Sequence, residues 1–156
     1  MKYKRLTKEQ FESLHQEFIT FLATQSIDKA EWDKIKTEKP EVAEQELDVF
    51  SDLIWEGVLN KAEYLEHFSA QHIYLFQLGN KKMKAIVVNV KNKNVDITTN
   101  EGYKWLRENL MDESVEFLQA DKDYTDDKNL DKFKMIEQGA VISKGDLFNF
   151  FNKLIN

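Results

Sequence analysis

Cysteine is absent from this 156-residue chain. That one gap excludes a disulfide framework, a thiolate zinc site and a cysteine nucleophile together. Proline occurs once, at Pro40, and glycine five times, which excludes collagen-like and proline-rich architectures. No stretch of about 18 consecutive apolar residues exists, and the basic start Met1-Lys2-Tyr3-Lys4-Arg5-Leu6 leads into polar positions rather than an apolar signal core. The expectation is a cytoplasmic protein with no membrane association. Arginine is scarce, with only Arg5 and Arg107, so bidentate phosphate recognition has little to work with. A formal charge of −6 also argues against general affinity for nucleic acid. What is present is 42% apolar and 12% aromatic residues, enough for one folded domain spanning 1–156.

Charge is segregated along the chain. Residues 38–66 hold nine acids against Lys39 and Lys61, whereas residues 67–95 hold five lysines and no acid. Residues 112–131 then hold eight acids against Lys122 and Lys128. Two acidic segments therefore flank a basic one.

Local grammar predicts an α+β fold: a helical N-terminal half of about three helices (7–68), then a small, mainly antiparallel sheet with C-terminal helices (71–156). Thr7 and Gln10 form a capping-box pattern. Phe11, Leu14, Phe18, Phe21 and Leu22 follow at helical spacing, predicting a helix over 8–24. Asp28 or Ser26 can cap a second helix carrying Trp32 and Ile35. Pro40 suits the first turn of a third over 41–60, with Leu47, Phe50, Leu53, Ile54 and Val58 as its apolar side and a continuation through Tyr64 and Leu65. Ile73–Leu78 and Met83–Val90 flank Gly79-Asn80 and read as a hairpin. Val95–Thr98 and Val115–Leu118 read as further strands around a helix at 101–110, and 121–129 as a polar loop. Residues 130–138 fit either helix or strand. Ala140–Ile142 reads as a short strand before a last helix opened by Ser143 and Asp146.

Three stretches, LTKEQFESLHQEFITFLATQSIDKAEWDKIK (6–36), KPEVAEQELDVFSDLIWEGVLNKAEYLEHFS (39–69) and LDKFKMIEQGAVISKGDLF (130–148), resemble a family of short proteins of unknown function from flavobacteria and related Bacteroidota. The resemblance covers almost the whole chain. It implies a one-domain bacterial cytoplasmic protein and carries over no catalytic residue.

The most specific pattern is Glu44, Asp48, Asp52 and Glu56, at four-residue steps on one face of the third helix, with Trp55 beside them. Like charges at that spacing cost roughly 0.2–0.5 kcal/mol per pair in an exposed helix. One reading is a face that receives Lys or Arg of a protein partner, or of a second copy, by charge pairing and cation–π contact. The other is a solvated acidic face whose Trp55 lies under another element of the same chain, such as the lysine hairpin. Lys81, Lys82, Lys84, Lys91 and Lys93 would bind an acidic partner or RNA, or would guard a sheet edge against aggregation. No aromatic-plus-basic RNA signature accompanies them.

The acidic run from Asp121 and Asp123 to Asp131 fails as a calcium loop: Asp126 stands where the turn needs glycine, and Lys132 where a chelating Glu belongs. His67 and His72, with Asp121 and Asp123, are weak candidates for metal ligation, and with the clustered carboxylates they would support a metal-dependent hydrolase or nuclease. No phosphate-cradling glycine loop, GxSxG elbow or HExxH pair is present. The leading expectation is therefore a non-enzymatic interaction module without a cofactor, the hydrolase comes second and an RNA- or ribosome-associated factor third.

Overall fold

A computed structural model describes residues 1–156, and the chain divides into two compact units, Met1–Asn60 and Lys61–Asn156. The architecture is α+β, with seven helices and one five-stranded antiparallel sheet.

The first unit is helical: α1 (Lys8–Ser13), α2 (His15–Ala23), α3 (Lys29–Glu38) and α4 (Pro40–Lys61). The Thr7–Gln10 capping box forms with both reciprocal bonds, and Asp28 caps α3 by accepting the Glu31 amide at 2.8 Å. The helix expected over 8–24 is divided at Leu14, whose φ of −103° and ψ of 24° leave the helical region. After α2, Ser26 takes a left-handed φ of 60°, and the amides of Ser26 and Ile27 bond back to the carbonyls of Ala23 and Leu22. This Schellman arrangement turns the chain sharply into α3.

Phe50 of α4 is the buried centre of this unit. The rings of Phe11, Phe18 and Phe21 lie 6.0, 5.0 and 5.3 Å from it. The expected apolar side of α4 needs correction, because Leu53 and Val58 are exposed while Ala43 and Ser51 are buried. The buried positions of α4 are Ala43, Phe50, Ser51 and Leu59, with Leu47 half-buried, and the neighbouring side is claimed by polar contacts described below.

The second unit carries β1 (Tyr64–Phe68), β2 (His72–Leu78), β3 (Lys82–Val90), α5 (Asn100–Glu108), β4 (Val115–Asp123), α6 (Lys128–Glu137), β5 (Val141–Ser143) and α7 (Asp146–Ile155). Strand order is β4-β3-β2-β1-β5, with every neighbouring pair antiparallel. One sheet face presents Ile73, Leu75, Ile86, Val88 and Val90 to Leu106 of α5 and to Phe148 and Phe151 of α7. On the other, Leu65, Leu78 and Met83 pack with Ala62 and Ala140, joined by Met135 and Ile136 of α6. Side-chain alternation along the strands assigns the two faces.

Several local expectations shift. Tyr64 and Leu65 belong to β1, not to a continued helix; Leu65 is buried and β1 lies between β2 and β5, so sheet pairing overrides a helical reading of five residues. The hairpin turn is Asn80-Lys81, one residue later than expected, since the Gly79 amide bonds to the Lys82 carbonyl at 3.1 Å. Val95–Thr98 is a turn instead of a strand. Asp96 Oδ1 accepts the Thr98 amide at 2.9 Å, a local bond that competes with any ladder. Residues 121–123, expected in a loop, extend β4. The ambiguous segment 130–138 lies mostly in α6, whose N-cap is Asp127.

Candidate functional site

Helix α4 rises about 6.0 Å over four residues, so Glu44, Asp48, Asp52 and Glu56 stand in one row. The chain's own residues 2–6 lie along that row. Asp52 accepts two backbone amides, from Lys2 at 2.7 Å and from Tyr3 at 2.9 Å. The Tyr3 hydroxyl donates to Glu56, and the Lys2 ammonium stands 3.8 Å from the same carboxylate. Arg5 reaches Asp48 with Nε at 2.8 Å and Nη2 at 2.6 Å, while its Nη1 donates to the Glu44 carboxylate and Nη2 to the Glu44 carbonyl at 3.2 Å. Trp55 Nε1 donates to the Lys4 carbonyl at 3.1 Å. At the inner end, the Leu6 amide donates to the buried hydroxyl of Ser51 at 3.1 Å, and Ser51 donates in turn to Leu47 at 2.7 Å.

Periodicity explains the fit. Asp48 and Asp52 are one four-residue step apart on the helix, and two residues of extended chain span a similar length, about 6.6 Å. Arg5 and Tyr3, two residues apart, therefore meet successive carboxylates. Electrostatics follow the geometry: Asp48 and Glu44 hold the Arg5 guanidinium above its ordinary pKa, and burial, then the Glu56 carboxylate, push the Tyr3 phenol up to about 12.

Trp55 and all four carboxylates of the stripe are thus brought together. Their cover within this unit is the basic N-terminal segment, for which the sequence did hold a signal in the charges of Lys2, Lys4 and Arg5. The sequence reading missed Tyr3, Leu6 and Ser51, which mark the segment's anchorage. A serine inside an amphipathic helix carries no signal of its own until its partner is known.

The lysine hairpin finds its counter-charge elsewhere. Register places Lys84 opposite Asp121 and Lys82 opposite Asp123 on one face of the sheet. Lys91 pairs with Glu116 at 3.2 Å. Lys81 sits in the hairpin turn and Lys93 in the loop after β3. The run of positive charge read along the sequence is therefore interleaved in space with the acids of β4.

The metal candidates do not converge. His67 and His72 each stack on Tyr74, with ring centroids 5.9 and 5.5 Å from it. Strand alternation puts that row on the face opposite Asp121 and Asp123. No three His, Asp or Glu side chains are grouped so as to hold a metal ion. No helix is long and apolar enough to cross a membrane.

A family model described as a family of unknown function (DUF6495) matches residues 1–156, and the chain belongs to that family. Neither the curated proteins nor the solved structures contain a match.

Proposed function

We propose that the protein is a non-enzymatic interaction module whose working surface is the acidic stripe of α4 with Trp55, and that its partner presents an extended basic segment bearing an aromatic residue. The carrying observation is that residues 2–6 already occupy this surface in that form. Asp52 holds two consecutive backbone amides, and Asp48 and Glu44 hold an arginine. Such a surface recognises extended backbone as well as charge, which a merely solvated acidic face does not do. The bound segment acts as an internal ligand: a partner, or the corresponding segment of a second copy, must displace it. Competition of this kind lowers the apparent affinity by the fraction of molecules in which the site is vacant.

The test is a titration with a labelled peptide of sequence MKYKRLT against the intact chain and against Lys2→Gly/Tyr3→Gly/Arg5→Gly, a variant freed of the three side chains that help hold residues 2–6 on the stripe. The freed variant is expected to bind at least about tenfold more tightly. Binding should weaken with salt and vanish when Asp48→Lys/Asp52→Lys is added. No peptide binding by the freed variant, with its helical circular dichroism intact, overturns the reading.

A further inference from the structure

The sheet of the second unit ends in two strands that have a neighbour on one side only, β5 and β4. β5 is three residues long, but β4 runs over nine, in unbroken register with β3 from Val90↔Val115 to Lys82↔Asp123. An edge of that length is a template for another strand unless proline, a bulge or lysines guard it. β4 has no proline and no bulge, and Lys82 and Lys84 lie on the inner strand β3. Leu118 is 48% exposed, and Gln119 to Asp123 are exposed with it.

The ladder decides which backbone groups of β4 face outward. The Lys91 amide donates to the Ser114 carbonyl at 2.8 Å, and hydrogen-bonded positions recur every second residue in an antiparallel pair. Glu116, Leu118, Ala120 and Lys122 therefore bond inward to β3, while Phe117, Gln119 and Asp121 turn their amides and carbonyls away from it. Val115 obeys the same parity, since its amide leaves the sheet for the Asp112 carbonyl at 3.0 Å. Asn156 bonds the Gln119 side chain at 3.0 Å and leaves the backbone there open. On the opposite face, Glu116 pairs with Lys91 at 3.2 Å, whereas Lys122 has no carboxylate within 4 Å.

We propose that β4 pairs antiparallel with β4 of a second copy across a two-fold axis at Gln119, joining two five-stranded sheets into one. The strand is complementary to itself read backwards. Centred on Gln119, all nine residues find a partner, and Phe117, Gln119 and Asp121 exchange their outward bonds with Asp121, Gln119 and Phe117 of the other copy. Glu116 then stands opposite Lys122 and Leu118 opposite Ala120, twice each, and Asp121 and Asp123 meet Phe117 and Val115 instead of each other. Outward residues must match outward residues, so the register moves only in steps of two. One step either way sets Lys122 against Ser114 or Leu118 and loses both ion pairs. The register that pairs the most backbone is thus the one that pairs the charges.

The experiment is sedimentation equilibrium of the full chain at low salt up to about 0.5 mM, because an interface of one strand edge belongs to the weak class. The variants are Lys122→Glu and Glu116→Lys, each alone and then mixed in equal amounts, and Gln119→Pro, which removes an outward amide and leaves the β3 ladder intact. Each is first checked for fold by circular dichroism, and the charge variants carry the test if the proline variant does not fold. The intact chain is expected to dimerise. Each charge variant alone sets like charges opposite one another and should dimerise at least about tenfold more weakly, as should Gln119→Pro. The mixture should recover the association of the intact chain, because a heterodimer of the two variants restores both opposite-charge pairs. A monomer over the whole range overturns the proposal, and so does a mixture that associates no more tightly than its components. A dimer indifferent to all three substitutions also overturns it and assigns association to another surface. Failure of the peptide titration on the α4 stripe leaves this pairing untouched.

Discussion

Replacing Ser51 by alanine separates the two kinds of bond that hold residues 2–6 on α4. The Ser51 hydroxyl is fully buried and accepts the amide of Leu6, itself only 7% exposed. Deleting the oxygen strands that amide away from water, which costs about 1–3 kcal/mol. The Leu47 carbonyl keeps its helical partner, so the loss belongs to the Leu6 end. The outer contacts differ in kind. Arg5 and its carboxylates Asp48 and Glu44 are 35%, 32% and 58% exposed, and exposed pairs contribute about 0.2–1 kcal/mol each, less in salt. Urea unfolding of Ser51→Ala and Arg5→Ala, each at low salt and in about 0.5 M sodium chloride, tests the division. Ser51→Ala should lose its 1–3 kcal/mol at both ionic strengths, with faster hydrogen exchange at the Leu6 amide. Arg5→Ala should lose less, and its deficit should shrink in salt. A Ser51→Ala deficit below about 0.5 kcal/mol, with Leu6 exchange unchanged, would refute the view that a buried backbone bond anchors the segment.

Three further outcomes follow from the same geometry. Tyr3 holds its proton well past the ordinary phenol range, so its contribution is complete below about pH 10 and is lost as pH rises toward about 12; in a phenolate absorbance titration, Tyr3→Phe should delete a late-ionising component, and loss of an ordinary one instead contradicts the Glu56 contact. Glu66 of β1 is held above its usual pKa, first by burial and then by Asp146, so ionisation opposes folding once pH exceeds its folded pKa. Glu66→Gln should therefore raise the denaturation midpoint at pH 7, and the advantage should fade on acidification to about pH 4. Gly102, in the first turn of α5, has no room for a Cβ, which would fall 1.8 Å from the Asp96 carbonyl oxygen. Gly102→Ala should thus cost roughly 3 kcal/mol, the upper end for overpacking, and an unchanged melting temperature would show that the α5 turn is not so closely packed.

Much of this fold is written in short-range chemistry. The Thr7–Gln10 box, the Asp28 cap, Pro40 at the start of α4 and the alternation in β2 and β3 each act over a few residues, so the sequence alone reveals them. Where longer-range pairing competes, local reading falters. β1 is a strand because β2 and β5 flank it, and β4 extends through Asp121 and Asp123 because Lys84 and Lys82 stand opposite.

The candidate site divides in the same way. Spacing alone determined that Glu44, Asp48, Asp52 and Glu56 form one acidic row with Trp55 at its side. It did not determine what meets that row. The chain has basic segments at residues 2–5 and 81–93 and acidic ones on α4 and β4, and attraction between opposite charges permits either matching. Tertiary structure chose, joining the N-terminus to α4 across 39 to 53 residues and the hairpin to β4 through strand register. The physical reason is geometric: two-residue steps of extended chain match the helix's four-residue row on one side, and strand lysines of one parity match strand aspartates of the same parity on the other.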